Sequence, residues 1–349
     1  MATQIKTRNH SIDIFRFIFA TTAILNHCHA LWDISETAYY YWAEYVPRIT
    51  VLYFLCVAGY YYSKSLFAGK LNYFHQLANM LKIYLLWTTV YYICSFIINV
   101  LINKEPLSKF LVERVIFFFT RGSYPHMWYF PAMIYGMTAF TIVHKLFKQK
   151  GLLAYSTLCV LLYIIGALGS AYLEWSNNLP FAAVLYSQSW FPTLRGIISM
   201  GLPCFASGYW VFCLEKRLAA QPDKCISVIF ATITVIVYAE LSFLILVKNW
   251  IETPFMVFSF MPFAMTLLLY LLRNPMPKLE KISWYARRQS IAIFCVHPLI
   301  LIAIKTASEL SGLEIADTPL FLVIYTLSLI FGFIVIRLNG RMGRLLLGL

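Results

Sequence analysis

Ten apolar stretches of about twenty residues each follow one another along almost the whole chain, near 11–32, 45–66, 80–102, 127–147, 152–173, 194–214, 226–247, 254–272, 289–308 and 319–338. A helix of that length spans the ~30 Å hydrocarbon core of a bilayer, and lipid admits only segments whose backbone hydrogen bonds close internally. The expected fold is therefore all-α: a polytopic integral membrane protein with about ten transmembrane helices. Composition agrees, since 60% hydrophobic and 12% charged residues are too apolar a mixture for one soluble core. The connections are too short to hold a second domain, and no internal repeat or low-complexity tract interrupts them. Residues 1–349 read as one membrane domain. No cleavable signal peptide is expected, because the first apolar run carries Asp13 and Arg16 and lacks a small-residue cleavage pattern.

Loops rich in Lys and Arg stay in the cytoplasm, which fixes the expected orientation. With the N-terminus inside, nineteen lysines and arginines fall on the inner side and eight on the outer side, Arg16 being left within the first span. Most acids, among them Asp33, Glu44 and Asp317, fall outside. Both termini are thus expected to be cytoplasmic. The net charge of +13 is accounted for by topology and anionic inner-leaflet lipid, and gives no reason to expect nucleic acid. The most basic inner segment, 273–288, is explained in the same way. The outer connection 174–193 is rich in aromatics, as an interface belt or a glycan-stacking surface would be. Eight cysteines are scattered singly, without metal or redox spacing, and read as small apolar packing residues. No metal site is expected.

Charge is costly inside a bilayer, so ionisable residues there are candidates for function. The first span holds three: Asp13, Arg16 and His27. Arg16 and His27 lie on one helix face, roughly 16 Å apart along the axis. Asp13 and Arg16 are spaced to pair. His27 has the chemistry of a general base or a transient nucleophile, and a buried structural histidine bonded to a neighbouring carbonyl is the alternative. His126 and Trp128, with Met127, Tyr129 and Phe130, stand at the outer entrance to the fourth span. Interface anchoring explains those aromatics but not the histidine. In the ninth span Cys295, Val296, His297 and Pro298 combine a helix-opening proline with a histidine, either as a kink or as a substrate contact. Glu240, in the seventh span, is the remaining acid at membrane depth, placed to pair with a histidine.

In order and spacing these residues resemble the acyltransferase type 3 family of bacterial integral membrane proteins. The most specific part is Ser11-Ile12-Asp13-Ile14-Phe15-Arg16, followed after ten intervening residues by His27. Tyr53 to Tyr60, His126 to Phe130 and Cys295 to Pro298 support it, and the resemblance covers nearly the whole chain. Two positions depart from the family pattern. Ala58 stands where a serine is usual, and Asn79-Met80-Leu81-Lys82 replaces a pair of arginines thought to meet the cofactor's phosphates.

The resemblance implies a bacterial cytoplasmic (inner) membrane O-acyltransferase, O-acetyl by expectation. It would move the acyl group of cytoplasmic acetyl-CoA, or another acyl-CoA, onto a hydroxyl of an envelope glycan or similar acceptor on the outer side. Within that reading His27, Arg16 and Asp13 are catalytic, and Arg16 and Lys82 bind the donor. His126, Trp128, His297 and Glu240 bind the acceptor. The alternative is a transporter or permease-like module without acyl chemistry, as proposed for the membrane domain of vancomycin-resistance serine racemases. A structural subunit of a polysaccharide export machine is the third reading.

Overall fold

A computed structural model describes residues 9–176, 178, 195–248, 256–338, 343 and 346. Among the described residues the regular structure is entirely helical. In chain order the helices are α1 (His10–His27), α2 (Val46–Phe67), α3 (Tyr73–Phe96), α4 (Leu107–Thr120), α5 (Tyr129–Leu168), α6 (Leu202–Arg217), α7 (Asp223–Ser242), α8 (Phe260–Arg273), α9 (Glu280–Ser311) and α10 (Asp317–Arg337). Four of them are extended by wider, π-helical turns: Tyr39–Tyr45 before α2, Ile97–Ile102 after α3, Gly196–Gly201 before α6 and Phe243–Val247 after α7.

Among the described residues, six helical stretches are long and apolar enough to cross a membrane: Tyr73–Ile102, Tyr129–Leu168, Gly196–Arg217, Asp223–Val247, Pro277–Ser311 and Asp317–Arg337. The protein is a multi-pass membrane protein. The remaining expected stretches coincide with α1, which carries the charged residues, with α2, and with the 14-residue apolar α8. The 40-residue α5 is broken at Lys148, whose φ of 54° and ψ of −147° take the chain out of helical geometry. Its two parts, 129–147 and 149–168, are about 28 and 30 Å long at 1.5 Å per residue, each close to one bilayer core. The connection 103–126 contains α4, whose 14 residues are too few to span.

Large apolar side chains stand on the outward faces, as lipid requires: Phe74, Ile93, Val115, Val235 and Leu322 are all exposed. Inside, backbone meets backbone where α2 crosses α6. A Cβ at Gly59 would collide with the Phe205 carbonyl, and one at Gly208 with the Cys56 carbonyl, so only glycine allows that crossing.

The pair that positions the site is α1 and α9, which pack along one another. Asn9 caps α1 by accepting from the Ile12 amide at 3.3 Å, and its own amide donates to the Leu271 carbonyl at the end of α8 (2.7 Å). His10 Nδ1 meets Ser283 Oγ of α9 at 2.6 Å, and Ser11 Oγ donates to the Asn274 carbonyl at 2.5 Å. The start of α1 thus lies against the start of α9, and the two helices run parallel.

Candidate active site

Parallel packing has a consequence where the end of α1 meets the middle of α9. His27, the last residue of α1, comes against His297, with ring centroids 5.2 Å apart and the rings tilted by 40°. His126, from the turn before α5, completes a cluster at 6.5 Å from His27 and 5.5 Å from His297. Three histidines distant in sequence therefore share one centre. His126 and His297 are buried, while His27 is half-buried and faces two cavities.

The tautomer of His297 follows from its neighbours. Its Nδ1 lies 2.7 Å from the Ile293 carbonyl, which can only accept, so Nδ1 carries the proton and donates it. Nε2 is left as an acceptor, buried and without a hydrogen-bond partner among the described residues. Neither ring nitrogen of His126 has one there either. Pro298 lies inside α9 and cannot donate into the helix, and one turn of it is tied from outside, where Tyr91 Oη donates to the Cys295 carbonyl at 2.8 Å. Tyr91 also packs edge-on against His126 at 5.1 Å and stacks on Tyr124 at 4.9 Å.

Toward the other end of the helix pair, a cavity of about 290 Å³ is lined by Arg16 of α1 and by Arg287 and Ser290 of α9, with Phe54, Met80, Tyr129 and Phe294 among its apolar walls. Arg16 pairs with the buried Asp13 at 3.7 Å, as their spacing predicts. Lys82 does not join them. Met80 and Ile83 line the cavity from α3, whereas Lys82 is exposed on another face of that helix. The second cation beside Arg16 is instead Arg287.

Two further cavities meet at the histidine end. One, of about 610 Å³, is lined by His27, His126 and Trp128 together with Arg48, Arg121 and Arg195. The other, of about 500 Å³, is lined by Asn26, His27, His29, Trp32, Tyr39, Tyr40, Glu44, Arg48 and Asp317. Glu44, buried between them, accepts from Asn26 Nδ2 at 2.8 Å and Tyr39 Oη at 3.1 Å and pairs with Arg48. Glu44 thus joins the cavity wall next to His27 through its hydrogen bond from Asn26, the residue preceding His27.

Phe294 belongs to the arginine-lined 290 Å³ cavity and to the 610 Å³ cavity alike. Its ring lies 5.2 Å from His126 on one side and 5.7 and 6.4 Å from Tyr129 and Phe54 on the other. Phe294 is thus a wall residue common to the two.

Beyond α1 the chain is strapped to α10. The Leu31 amide donates to Thr318 Oγ1 at 2.9 Å, and the Thr318 hydroxyl and amide donate to Asp33 at 2.5 and 3.2 Å. The Thr318 hydroxyl, and to a lesser degree the Thr318 amide, hold the Asp33 carboxyl below the usual carboxylate range, with partial desolvation opposing them. The strap fixes the turn containing His29 and Leu31, whose φ angles of 54° and 73° are rare for side-chain-bearing residues.

Glu240 is placed elsewhere. One of its oxygens accepts from Tyr172 Oη and the other from the Ser259 amide at 3.0 Å, so it joins the end of α5 to the start of α8 and meets no histidine. Most of the aromatic connection 174–193 lies outside the described residues. Among those described, no group of three His, Cys, Asp or Glu side chains has the geometry to hold a metal ion. Arg287 was legible in principle, because Arg287 and His297, with nine residues between them, echo Arg16 and His27 with ten. Arg48 and Glu44, an i,i+4 pair at a membrane margin, carried a weaker signal of the same kind.

Comparison with known proteins gives the family. The model of a family described as an acyltransferase domain matches residues 9–338. An amino-acid racemase of Enterococcus faecalis is 24% identical over 343 residues, covering 97% of this chain and 47% of that protein. A serine/alanine racemase of Enterococcus gallinarum is 29% identical over 186 residues, covering 50% of this chain and 24% of that protein. The chain spans about half, or less, of the length of the curated relatives it matches. No solved structure matches. The chain belongs to the acyltransferase family, the type 3 membrane acyltransferases that the first-span motif resembles.

Proposed function

We propose that this member of the family is an O-acyltransferase of the bacterial cytoplasmic membrane, using cytoplasmic acetyl-CoA or another acyl-CoA to esterify a hydroxyl of an envelope glycan or similar outward-facing acceptor. In this reading the chain crosses the bilayer ten times with both ends inside. Arg16 and Arg287 then face the cytoplasm, and the three histidines lie toward the outside. The observation that carries the proposal is the parallel pairing of α1 and α9, which sets two arginines in one cavity and two histidines against each other beyond it.

The arginines hold the anionic phosphates of the donor, with Asp13 orienting Arg16. The donor's extended thiol arm passes Phe294 and brings the thioester to the histidines, across the roughly 15 Å that ten or eleven helical residues span. His297, its Nδ1 proton given to the Ile293 carbonyl, presents a bare Nε2 that has no partner at rest among the described residues; on acceptor binding this nitrogen accepts a ring N–H of the neighbouring His27 and so leaves the other nitrogen of His27 unprotonated. That nitrogen takes the proton of the acceptor hydroxyl. The hydroxyl oxygen attacks the thioester carbonyl, the carbon–sulfur bond breaks, and the departing CoA thiolate takes the proton back from His27. His126 and Trp128 bound the space the acceptor occupies. His297 is a positioning residue in this scheme, and Lys82 and Glu240 have no part in it.

The test is acyl transfer from radiolabelled acetyl-CoA to envelope glycan in membrane vesicles. His27→Ala is expected to lower the rate by about 10²- to 10⁴-fold, the usual contribution of a general base, while leaving donor binding intact. Full activity in that variant would overturn the assignment.

A second reading is favoured by the relatives' printed names. Both are racemases of amino acids, and the chain matches about half or less of each. A permease module supplying an amino acid would show counterflow of labelled serine in vesicles, insensitive to acyl-CoA.

A further inference from the structure

His126 is buried with its polarity unanswered. It is 4% exposed, and neither of its ring nitrogens has a hydrogen-bond partner among the described residues. A neutral imidazole carries one N–H and one bare nitrogen, so a donor and an acceptor are both held away from water here. Native structures almost always pair such groups, and an unpaired one calls for a reason. The neighbouring rings do not satisfy it. Tyr91, Phe294, His297 and Tyr124 pack on His126 with centroids 5.1, 5.2, 5.5 and 5.9 Å away. Of these, Tyr91 Oη is already given to the Cys295 carbonyl and His297 Nδ1 to the Ile293 carbonyl. The turn that carries His126 is equally fixed. Ser123 Oγ accepts from Thr88 Oγ1 at 3.2 Å, the Met127 amide donates to the Tyr124 carbonyl at 2.8 Å, and Gly122, at φ 76°, approaches the Met127 backbone too closely to admit a Cβ. Packing therefore holds the ring in place with its nitrogens unused, as in a group set in advance for a ligand.

The cavity walls say which part of the ligand it meets. His126 lines the 610 Å³ cavity together with His27, their centroids 6.5 Å apart, so that one small group can reach a nitrogen of each. Its ring also contacts Phe294, which borders the arginine-lined cavity. The neighbouring 500 Å³ cavity is lined by His27 and not by His126. His126 thus stands toward the donor's entry, whereas His27 is shared between the spaces of donor and acceptor.

Resting on the acyltransferase reading, we propose that His126 is a catalytic residue whose ring N–H binds the carbonyl oxygen of the donor's thioester and stabilises the oxyanion that forms there. As the acceptor oxygen bonds to the thioester carbon, the π electrons of the carbonyl move onto its oxygen and His27 takes the hydroxyl proton. The oxyanion accepts from His126 while the tetrahedral carbon lasts. Its collapse restores the carbonyl and breaks the carbon–sulfur bond, and the proton passes from His27 to the departing thiolate. His126 neither gains nor loses a proton in this cycle. A donor fixed in a buried site acts most strongly where charge develops, because it needs no reorientation and little water screens it.

The experiment is isotope-edited infrared spectroscopy of acetyl-CoA, labelled with carbon-13 at the thioester carbonyl and bound to the full chain in phosphatidylcholine nanodiscs. The carbonyl stretch should lie lower in the wild type and in His126→Gln, whose amide still donates, than in His126→Phe. In the vesicle transfer assay His126→Phe should lose about 10²- to 10³-fold in kcat, as removal of one oxyanion donor does, with KM for acetyl-CoA little changed. His126→Gln should recover most of that loss. Because His126 keeps its proton, the pH profile of kcat/KM should be the same in the wild type and both variants. Unfolding temperatures report whether the ring packing survives, and His126→Leu repeats the measurements where phenylalanine disturbs it. A carbonyl stretch unmoved by loss of the donor, full kcat without it, or an altered pH profile would each overturn the assignment and leave acyl transfer through His27 standing. A wild type that binds no acetyl-CoA would refute the donor reading itself, and this role of His126 with it.

Discussion

Arg287→Gln and Lys82→Gln separate the site built by the fold from the site the linear sequence suggests. Arg287 lines the same cavity as Arg16, whereas Lys82 is exposed on α3 and lines no part of it. A hydrogen bond to a charged group contributes about 1.5–3 kcal/mol, which is about 10- to 150-fold in a dissociation constant. Arg16 is itself 29% exposed in its side chain, so part of its contribution is screened by water and the lower half of that range applies to the cavity's mouth. An exposed lysine gains at most about 1 kcal/mol from a nearby anion, or roughly fivefold, and less as salt is added. Acetyl-CoA binding to purified protein, read by calorimetry at low and high ionic strength, should therefore fall by about tenfold or more in Arg287→Gln and hardly change in Lys82→Gln. A larger effect at Lys82 than at Arg287, or none at Arg287, would refute the pairing of α1 and α9 as the donor site.

The role given to His297 predicts that His297→Phe lowers kcat by about fivefold, the worth of one neutral hydrogen bond, with KM unchanged, while His297→Gln, whose amide oxygen still accepts from His27, retains most activity. Loss as complete as in His27→Ala would make His297 a chemical participant instead. Gly208→Ala drives a Cβ into the Cys56 carbonyl at the α2–α6 crossing and should destabilise the protein by about 1–3 kcal/mol, read as a lowered unfolding temperature in detergent. At Asp33 the folded carboxyl is held low by Thr318, so the strap is fully stabilised above the unfolded value of about 3.9 and loosens only as pH falls through the lower folded value. Hydrogen exchange at the Leu31 amide should accordingly quicken at acid pH in the wild type, and be fast at every pH in Asp33→Asn.

How much of this was readable in the sequence depends on the range of the interaction. Span positions follow from apolar length alone, because lipid imposes that rule on each segment separately, and even the break at Lys148 falls between two expected spans. The Asp13–Arg16 pair is one helical turn and was equally plain. His27, His126 and His297 could each be singled out as costly polar residues at membrane depth, but their meeting is a property of packing among α1, α5 and α9. Glu240 shows the converse. Its cost of burial is met by Tyr172 and the Ser259 amide, partners no local pattern identifies. Lys82 was chosen because its segment aligns with a known cation pair, and the structure does not bring it to the Arg16 cavity, because the face of α3 turned that way carries Met80 and Ile83.

The same packing resolves the difficulty posed by the first span, where Arg16 and His27 stand too far apart along one helix to touch a common small group. Because α9 runs parallel to α1, the separation is repeated on a second helix, with Arg287 near Arg16 and His297 against His27. Two parallel helices with matched ends define a path, whereas a single helix defines only a stripe. Phe294 sits across that path, lining the cavities on both its sides, seven residues or about 10 Å beyond Arg287. In the acyl-transfer reading proposed above, a donor held by its phosphates at the arginine end has to bring its reactive carbon past Phe294 to reach His27, while the acceptor comes from the histidine end. The long spacing between arginine and histidine, repeated on both helices, would then let donor and acceptor enter from opposite sides and meet at His27.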